Sequence, residues 1–422
     1  MSTSPSAIRS SKARSVPPFP EAARELITKL SPRVTGLERL QHQAAELIRL
    51  PEAVRGGLEA IMHFLLEFML EQEASDLDLG GRAANGYVWY RIHGAKRPHP
   101  EVGRYDPDEA NLLILALTTD RIRERLYERL SVDFSYELVY QGRRRRFRAT
   151  AYLEDGYLAL NMRALPEQVR PLDSLGFHPN IVRHLMFEYV RDGLTLVTGV
   201  TGSGKSTTLD AIIEATNQLS EAHVIILGAP VEYVHTSKRC LIRHREVGRD
   251  VHSFKEGTIQ ALRQDPDIIV IGEMRDPDTI MAALEVTDSG HKVFSTLHTS
   301  SAVESIDRII AECPVEEQER VRHRLADVLR VVISQKLCPR IGGGRVLAKE
   351  VLLVTPSVRA AIKNNNTAEI YQMIWEGGSL GMITMEQDLF RLYRARQITW
   401  ETAMNFANNK RRLQQLLQQA EG

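Results

Sequence analysis

The segment GVTGSGKST at residues 199–207 has the residue types and spacing of a phosphate-binding loop. It fits the pattern G-x-x-x-x-G-K-[ST], between an apolar run at 194–198 and a stretch of helical character at 208–214. Glycine lets backbone N–H groups turn towards phosphate oxygens, and the start of the following helix adds partial positive charge. We predict ATP binding here, because a glycine-rich turn that merely packs a strand on a helix does not need every position of the pattern.

The predicted nucleotide ligands are consecutive residues of this loop and of the turn after it: Thr201, Gly202, Ser203, Gly204, Lys205, Ser206 and Thr207. Lys205 is expected to lie against the β and γ phosphates of ATP, where an ammonium group offsets their charge. The Ser206 hydroxyl is expected to ligate Mg²⁺, so ATP and Mg²⁺ are the predicted cofactors.

A second motif, DPDIIVIGEMRD at 265–276, is an apolar strand that ends in an acidic residue. Such strands are common in purely structural contexts, but downstream of a phosphate-binding loop this one indicates a catalytic acid. Glu273 is therefore predicted to polarise the attacking water, or to bind Mg²⁺ through a water molecule.

Histidines stand at both ends of the next predicted strand, GHKVFSTLHT at 290–299. A histidine in such a place is often only hydrogen-bonded packing. The hydroxyl groups of Ser295 and Thr296 instead favour a site that faces the phosphates. In that interpretation His291 and His298 both belong to the site, and His298 senses the γ phosphate.

The stretch GRRRRFRAT at 142–150 is rich in arginine. We expect residues 143–146 to form a solvated hairpin, as charge runs usually do. Arg148 differs, because alternation along a strand gives it a defined face, and Arg163 is similarly placed at the end of the next strand. Arginines from a neighbouring domain commonly stabilise phosphate charge during transfer, so both are candidates for that role.

At 422 residues the chain is too long for one ordinary domain. Beyond the prolines at 166–171, strands alternate with helices in the α/β pattern, whereas the strands before them predict a smaller α+β domain. The predicted parts are an extension at 1–56 that is disordered up to residue 20, an N-terminal domain at 57–170, an ATPase domain at 171–355 and a C-terminal helical segment at 356–422.

The composition is that of a soluble globular protein, with 43% apolar and 26% charged residues. Lys+Arg and Asp+Glu both number 54, so the net charge is zero and gives no overall attraction to nucleic acid. The 3 cysteines form no C-x-x-C pair, which argues against a zinc site or a disulfide framework and favours a reducing cytoplasm. The most apolar stretch, 61–70, is too short and too polar to span a bilayer.

Segments in a fixed order resemble the secretion ATPase superfamily, which includes type II and type IV secretion motors and type IV pilus motors: GVTGSGKST, APVEYVH, DPDIIVIGEMRD and SGHKVFSTLHT. Residues 334–362 and 377–399 are similar to the C-terminal part of PilT-like retraction motors. Residues 74–79 and 91–94 resemble the start of their N-terminal domain. The resemblance runs from Gly57 to the C-terminus.

The resemblance implies a RecA-like P-loop ATPase domain, a smaller PAS-like N-terminal domain, and a homohexameric motor that hydrolyses ATP to power pilus disassembly and twitching motility. It also implies a cytoplasmic location at the pilus base, peripheral to the inner membrane, with an inner-membrane platform protein and a paralogous pilus motor as partners. By position it implies catalytic roles for Glu273, Glu232, His298, His291, Arg148, Arg163 and Arg263.

The sequence departs from the family pattern at two places. Gly228 and Ala229 stand where two carboxylates usually precede the proline, and Ile259 stands where related motors often have an arginine. Fewer carboxylates around Mg²⁺ and water weaken electrostatic preorganisation, so we expect slow but real hydrolysis. The alternatives are a PilU-like accessory retractor, another secretion-system ATPase, or a nucleotide-gated structural subunit that hydrolyses weakly or not at all.

Overall fold

The computed structural model describes residues 15–421. The chain divides into two compact units, one up to Glu167 and one from Gln168 onward, so the division falls inside the stretch 166–171 predicted as the linker. The tail expected to be disordered lies outside the described residues as far as residue 14. Beyond that point Phe19 already packs against the core of the first unit.

The first unit is built on an antiparallel sheet with the strand order β3-β2-β1-β6-β5-β4. Its strands are β1 (Asp76–Gly80), β2 (Trp89–Ile92), β3 (Ala95–Pro98), β4 (Ser131–Tyr140), β5 (Arg143–Glu154) and β6 (Tyr157–Ala164). Its helices are α1 (Glu21–Lys29), α2 (Gly36–Arg49), α3 (Glu52–Glu71), α4 (Pro107–Ala116) and α5 (Asp120–Arg129). This is the smaller α+β domain that the strand pattern predicts.

Helices α1 and α2 are part of the first unit's core. Ala23 of α1 and Leu40 of α2 are fully buried in the same hydrophobic cluster as the sheet. On α2, the Arg39 guanidinium donates to the carboxylate of Asp108 at the start of α4, with a distance of 2.6 Å from Nε to Oδ1. Because little of either side chain is exposed, this ion pair fastens the extension to the domain. From α1 onward the predicted extension is thus packed.

The second unit is built on a sheet with the strand order β13-β12-β7-β11-β10-β8-β9. Its strands are β7 (Gly193–Thr198), β8 (His223–Gly228), β9 (Leu241–Glu246), β10 (Ile268–Ile271), β11 (Lys292–Leu297), β12 (Leu329–Pro339) and β13 (Arg345–Leu353). Its helices are α6 (Pro179–Leu185), α7 (Lys205–Leu219), α8 (Phe254–Ala261), α9 (Pro277–Asp288), α10 (Ala302–Ala311), α11 (Val315–Val328), α12 (Pro356–Lys363), α13 (Ile370–Glu376), α14 (Met385–Arg394), α15 (Trp400–Phe406) and α16 (Lys410–Glu421).

The register of this sheet brings the predicted motifs to one edge. Thr198 at the end of β7 lies opposite Leu297 at the end of β11, and Ile271 at the end of β10 lies opposite Leu227 of β8. All these pairs are parallel, and only the edge strand β13 runs antiparallel to its neighbour. The loops that follow β7, β8, β10 and β11 therefore leave the sheet side by side, which is the RecA-like α/β arrangement expected.

The C-terminal helices α14 and α16 pack against the hairpin β12–β13. Leu389 and Leu392 of α14 and Leu413 of α16 are buried against Cys338 and Ala348 of the hairpin. The cysteines of the chain are free thiols in buried positions. Over residues 15–421, no helix combines the length and the apolar character needed to cross a membrane.

Lys292, the first residue of β11, is a fully buried cation. Its ammonium group donates to the backbone oxygens of His184 (2.9 Å) and Val190 (2.7 Å). Burial lowers the pKa of Lys292 to about 7, and the negative charge of Asp192 offsets this effect only in part. The folded chain thus releases a proton that the unfolded chain retains up to about pH 10.

We therefore expect the free energy of unfolding to rise by about 2 kcal/mol between about pH 7 and about pH 9, because the unfolded state binds more protons across that range. Lys292→Met should abolish this rise in urea unfolding curves measured at several pH values. Lys255→Met, which changes a half-exposed lysine, should retain it. Equal pH slopes for the wild type and Lys292→Met would contradict the assignment.

Candidate active site

The phosphate-binding loop connects β7 to α7 and depends on its glycines. Gly199 has φ +147°, and a Cβ atom there would lie 2.5 Å from the carbonyl oxygen of Gln335 on β12. Gly204, just before α7, has φ +91°, in the left-handed region that favours glycine. Any side chain at position 199 would thus collide with the neighbouring strand. The loop has the tight turn that lets a backbone cradle approach phosphate oxygens.

Lys205 and Ser206 lie in the first turn of α7. The Lys205 ammonium group folds back over the loop and donates to the carbonyl oxygens of Gly199 (2.8 Å) and Val200 (3.2 Å). The Ser206 hydroxyl has no hydrogen-bond partner within the described residues. A glycine cradle, a cation beside it and an uncommitted hydroxyl at a helix start fit a nucleotide phosphate with its Mg²⁺. Thr201, Gly202, Ser203 and Thr207 complete the same loop and turn.

Charge links Lys205 to the two predicted catalytic carboxylates. Half-burial lowers the pKa of Lys205, and the negative charges of Glu273 and Glu232 act in the opposite direction. This electrostatic coupling requires both carboxylates to be close to the ammonium group. The structure thus brings together the lysine that follows β7, the acid that follows β8 and the acid that follows β10.

Glu273 has two basic neighbours. Its Oε1 atom accepts a hydrogen bond from the Nε atom of Arg275, and the Nε2 atom of His298 lies 3.1 Å from the same oxygen. Burial and the positive charge of Lys205 lower the pKa of His298, which favours the neutral imidazole. Only 16% of the Glu273 side chain is exposed. Its carboxylate is therefore fixed in orientation beside the phosphate-binding loop.

Two residues of this region were missed by sequence reasoning. Arg275 stands two positions after Glu273 in the strand-end motif, and that spacing was the available signal. Glu246 ends β9 directly opposite Gly228, and its buried carboxylate accepts a hydrogen bond from the backbone N–H of Val231 (3.3 Å). No local pattern indicates Glu246, because its partner lies on another strand.

The structure does not bring His291 and Arg263 to the edge of the sheet where the phosphate-binding loop lies. His291 precedes β11, where its Nδ1 atom contacts the Ser289 hydroxyl at 2.9 Å. Arg263 lies in the turn that precedes β10. Parallel strands place both at the amino ends of the sheet, and the strand length to the carboxyl ends is about 13 Å for β10 and about 20 Å for β11. Within one chain, neither residue contacts the phosphate-binding loop.

The predicted arginines of the first unit are neighbours in its sheet. Arg148 of β5 lies directly opposite Arg163 of β6. Arg148 pairs with Asp133 (3.4 Å), and Arg163 pairs with Asp76 (2.8 Å). To contact phosphate, these two cations on one sheet face have to leave their carboxylate partners or bind phosphate and carboxylate at the same time.

The expected solvated hairpin at 143–146 needs correction at its inner end. Arg146 is only 10% exposed in its side chain and pairs with Glu137 at 3.0 Å. Arg145 is 20% exposed and pairs with Glu167 at 2.8 Å. The pairing with β4 places Arg146 opposite Glu137, and Arg145, on the other face of β5, meets Glu167, so only the tip of the run is solvated.

Relatives of the chain are found among pilus motors. It is 40% identical over 342 residues to the Type IV pilus retractation ATPase PilT of Pseudomonas aeruginosa. The aligned residues cover 80% of this chain and 96% of that protein. It is 30% identical over 346 residues to the Type IV pilus ATPase PilU of the same organism, covering 82% of this chain and 88% of that protein.

A solved structure has the same fold over most of the chain. The crystal structure of the pilus retraction motor PilT with bound ADP matches with a TM-score of 0.75 and 36% sequence identity, and covers 84% of this chain and 99% of that one. The Type II/IV secretion system protein family matches residues 53–387. That range contains the phosphate-binding loop, the segments that carry Glu232 and Glu273, and His298. The chain therefore belongs to the Type II/IV secretion system protein family.

Proposed function

We propose that this protein is a homohexameric, Mg²⁺-dependent ATPase that powers retraction of type IV pili. The convergence of Lys205, Glu273 and His298 at one edge of the parallel sheet is the observation that carries the proposal. The similarity to a pilus retraction ATPase supports the choice of task. By the family resemblance, the motor acts at the cytoplasmic face of the inner membrane, on a platform protein and beside a paralogous motor.

The nucleotide-binding part of the mechanism uses the loop and the start of α7. Backbone N–H groups of the glycine-rich loop bind phosphate oxygens, and Lys205 neutralises charge on the β and γ phosphates. Ser206 is the protein ligand of Mg²⁺, which when bound neutralises the charge that develops in the transition state. Lys205 has to exchange its present carbonyl acceptors, Gly199 and Val200, for phosphate oxygens.

The hydrolytic part uses the two carboxylates. Glu273 orients the attacking water and accepts its proton, because its carboxylate is fixed by Arg275 and by neutral His298. Glu232 adds a second negative charge beside Lys205 and helps to align the water. The contact between Glu273 and His298 gives His298 a means to sense the γ phosphate. The roles of Arg148, Arg163, Arg263 and His291 towards phosphate stay proposals that rest on the family resemblance.

Two observations weigh against the alternatives. The higher identity to the retraction ATPase than to PilU, 40% against 30%, favours retraction over an accessory role. A nucleotide-gated subunit without hydrolysis has no need of a water-orienting acid, yet Glu273 is only 16% exposed and lies between Arg275 and His298. The altered motif at Gly228 and Ala229 therefore indicates a slower enzyme rather than an inactive one.

Deletion of the gene in its host tests the assignment to retraction. We expect the deleted cells to keep surface pili and to lose twitching motility, because assembly continues without disassembly. Expression of the wild type should restore motility, whereas Lys205→Ala should not, since it removes the phosphate-binding cation. Loss of surface pili, or a secretion defect with normal motility, would contradict the proposal.

Ala229 offers a direct test of the expected slow turnover. Its side chain is exposed, whereas a Cβ atom at Gly228 would lie 2.8 Å from the Cα atom of Val231. We expect Ala229→Asp to raise kcat by about two- to tenfold, because a carboxylate is returned to the site. Ala229→Asn, with the same shape and no charge, should leave kcat unchanged. A rise in both variants, or in neither, would show that the missing charge does not limit the rate.

A further inference from the structure

A buried histidine joins the helix of the phosphate-binding loop to the segment that carries Glu232. The His235 side chain is fully buried. Its Nε2 atom lies 3.2 Å from a carboxylate oxygen of Asp210, and its Nδ1 atom lies 3.2 Å from a carboxylate oxygen of Glu214. Both carboxylates belong to α7 and stand one helical turn apart on the same face. Asp210 itself follows Ser206 by one turn.

Both ring nitrogens of His235 thus have a carboxyl partner on α7. Glu214 remains ionised, because hydrogen bonds from Lys238 and His235 outweigh burial and hold its pKa at about 2. The ring packs edge-on against Tyr233, with ring centroids 4.7 Å apart, and parallel to His244, with ring centroids 6.0 Å apart. These neighbours hold the ring beside Asp210 and Glu214.

The segment around Glu232 is a loop held by a few side-chain contacts. Residues 231–237 form neither helix nor strand. One end of the segment is tied to the sheet by the hydrogen bond from Val231 to Glu246. At the other end the tie nearest to Glu232 in sequence is His235, three residues away, whose side chain contacts α7 and whose backbone N–H donates to the Nε2 atom of His244 on β9 (3.1 Å). The negative charge of Glu232 also acts on Asp210, whose pKa is raised by burial first and by Glu232 among the smaller causes.

We propose that His235 is a positioning residue for ATP hydrolysis. Its two hydrogen bonds to α7 hold the preceding backbone so that the Glu232 carboxylate stays beside Lys205. This inference rests on the proposed ATPase function and on the role of Glu232 within it. A purely structural tie does not call for a buried histidine between two carboxyl groups, because an apolar side chain often fills such a space at no loss of stability.

The chain offers a matched control at the same interface. Asn217, also buried on α7, donates to the carbonyl oxygen of Thr236 (2.9 Å) and accepts from the N–H of Lys238 (2.9 Å). Asn217→Ala thus loosens the same segment on the side away from Glu232 and leaves His235 in place. If the two variants merely loosen packing, His235→Asn and Asn217→Ala should lower kcat alike. If His235 positions Glu232, only His235→Asn should lower kcat.

The experiment measures kcat and KM for ATP on purified hexamers, with melting temperatures recorded. We expect His235→Asn to lower kcat on the order of tenfold or more with KM changed by less than about twofold, because the loss concerns geometry rather than nucleotide binding. Asn217→Ala should keep kcat within about twofold of the wild type. Asp210→Asn, which keeps the shape and removes one charge, should reproduce the loss and serves if His235→Asn does not fold.

A double variant separates positioning from general damage. In a Glu232→Gln background, His235→Asn should cause no further loss of kcat, because the group that it positions is already gone. Losses that multiply, or a loss in Asn217→Ala equal to that in His235→Asn, would overturn the inference. Wild-type protein that does not hydrolyse ATP in the same assay would instead contradict the proposed function.

Discussion

The parallel register of the second unit's sheet is the constraint on which the rest of the site depends. Parallel strands have their carboxyl ends at one edge, so residues far apart in the chain emerge next to each other. Lys205 follows β7, Glu273 follows β10 and His298 follows β11, and the pairing of these three strands has no shift in register. Every residue of these three strands is buried, so the core packs on both faces of the sheet and holds the strand ends in place.

Charge compensation at this edge follows from that placement. Lys205 is half-buried, which lowers its pKa, and Glu273 and Glu232 partly reverse the effect. Burial and the charge of the same lysine lower the pKa of His298, which lies 3.1 Å from the Glu273 carboxylate. The charges at this edge thus act on one another because the strand ends bring them close together. The loop after β8 has no regular structure, and it is tied to β9 through Glu246 and to α7 through its own residue His235.

The features that could be predicted from the sequence are those formed by contiguous residues. The phosphate-binding loop, Glu273 and His298 each follow an apolar strand, and the structure brings them together as expected. His291 and Arg263 lie at the amino ends of their strands, away from the phosphate-binding loop of the same chain, and their roles towards phosphate rest on the family resemblance. The packing of α2 depends on Asp108 of a distant helix, and β9 is too polar to stand out as a strand. These features are decided by partners remote in the chain.

Steady-state release of phosphate from ATP by the purified hexamer, compared with Glu273→Gln, tests the central claim most directly. The account predicts Mg²⁺-dependent release by the wild type. It also predicts that Glu273→Gln binds ATP with similar affinity and releases no phosphate above background, because the amide cannot accept the proton of the attacking water. Equal turnover by the two proteins, or ATP binding without turnover by either, would contradict the assignment of Glu273 as the acid of an active motor.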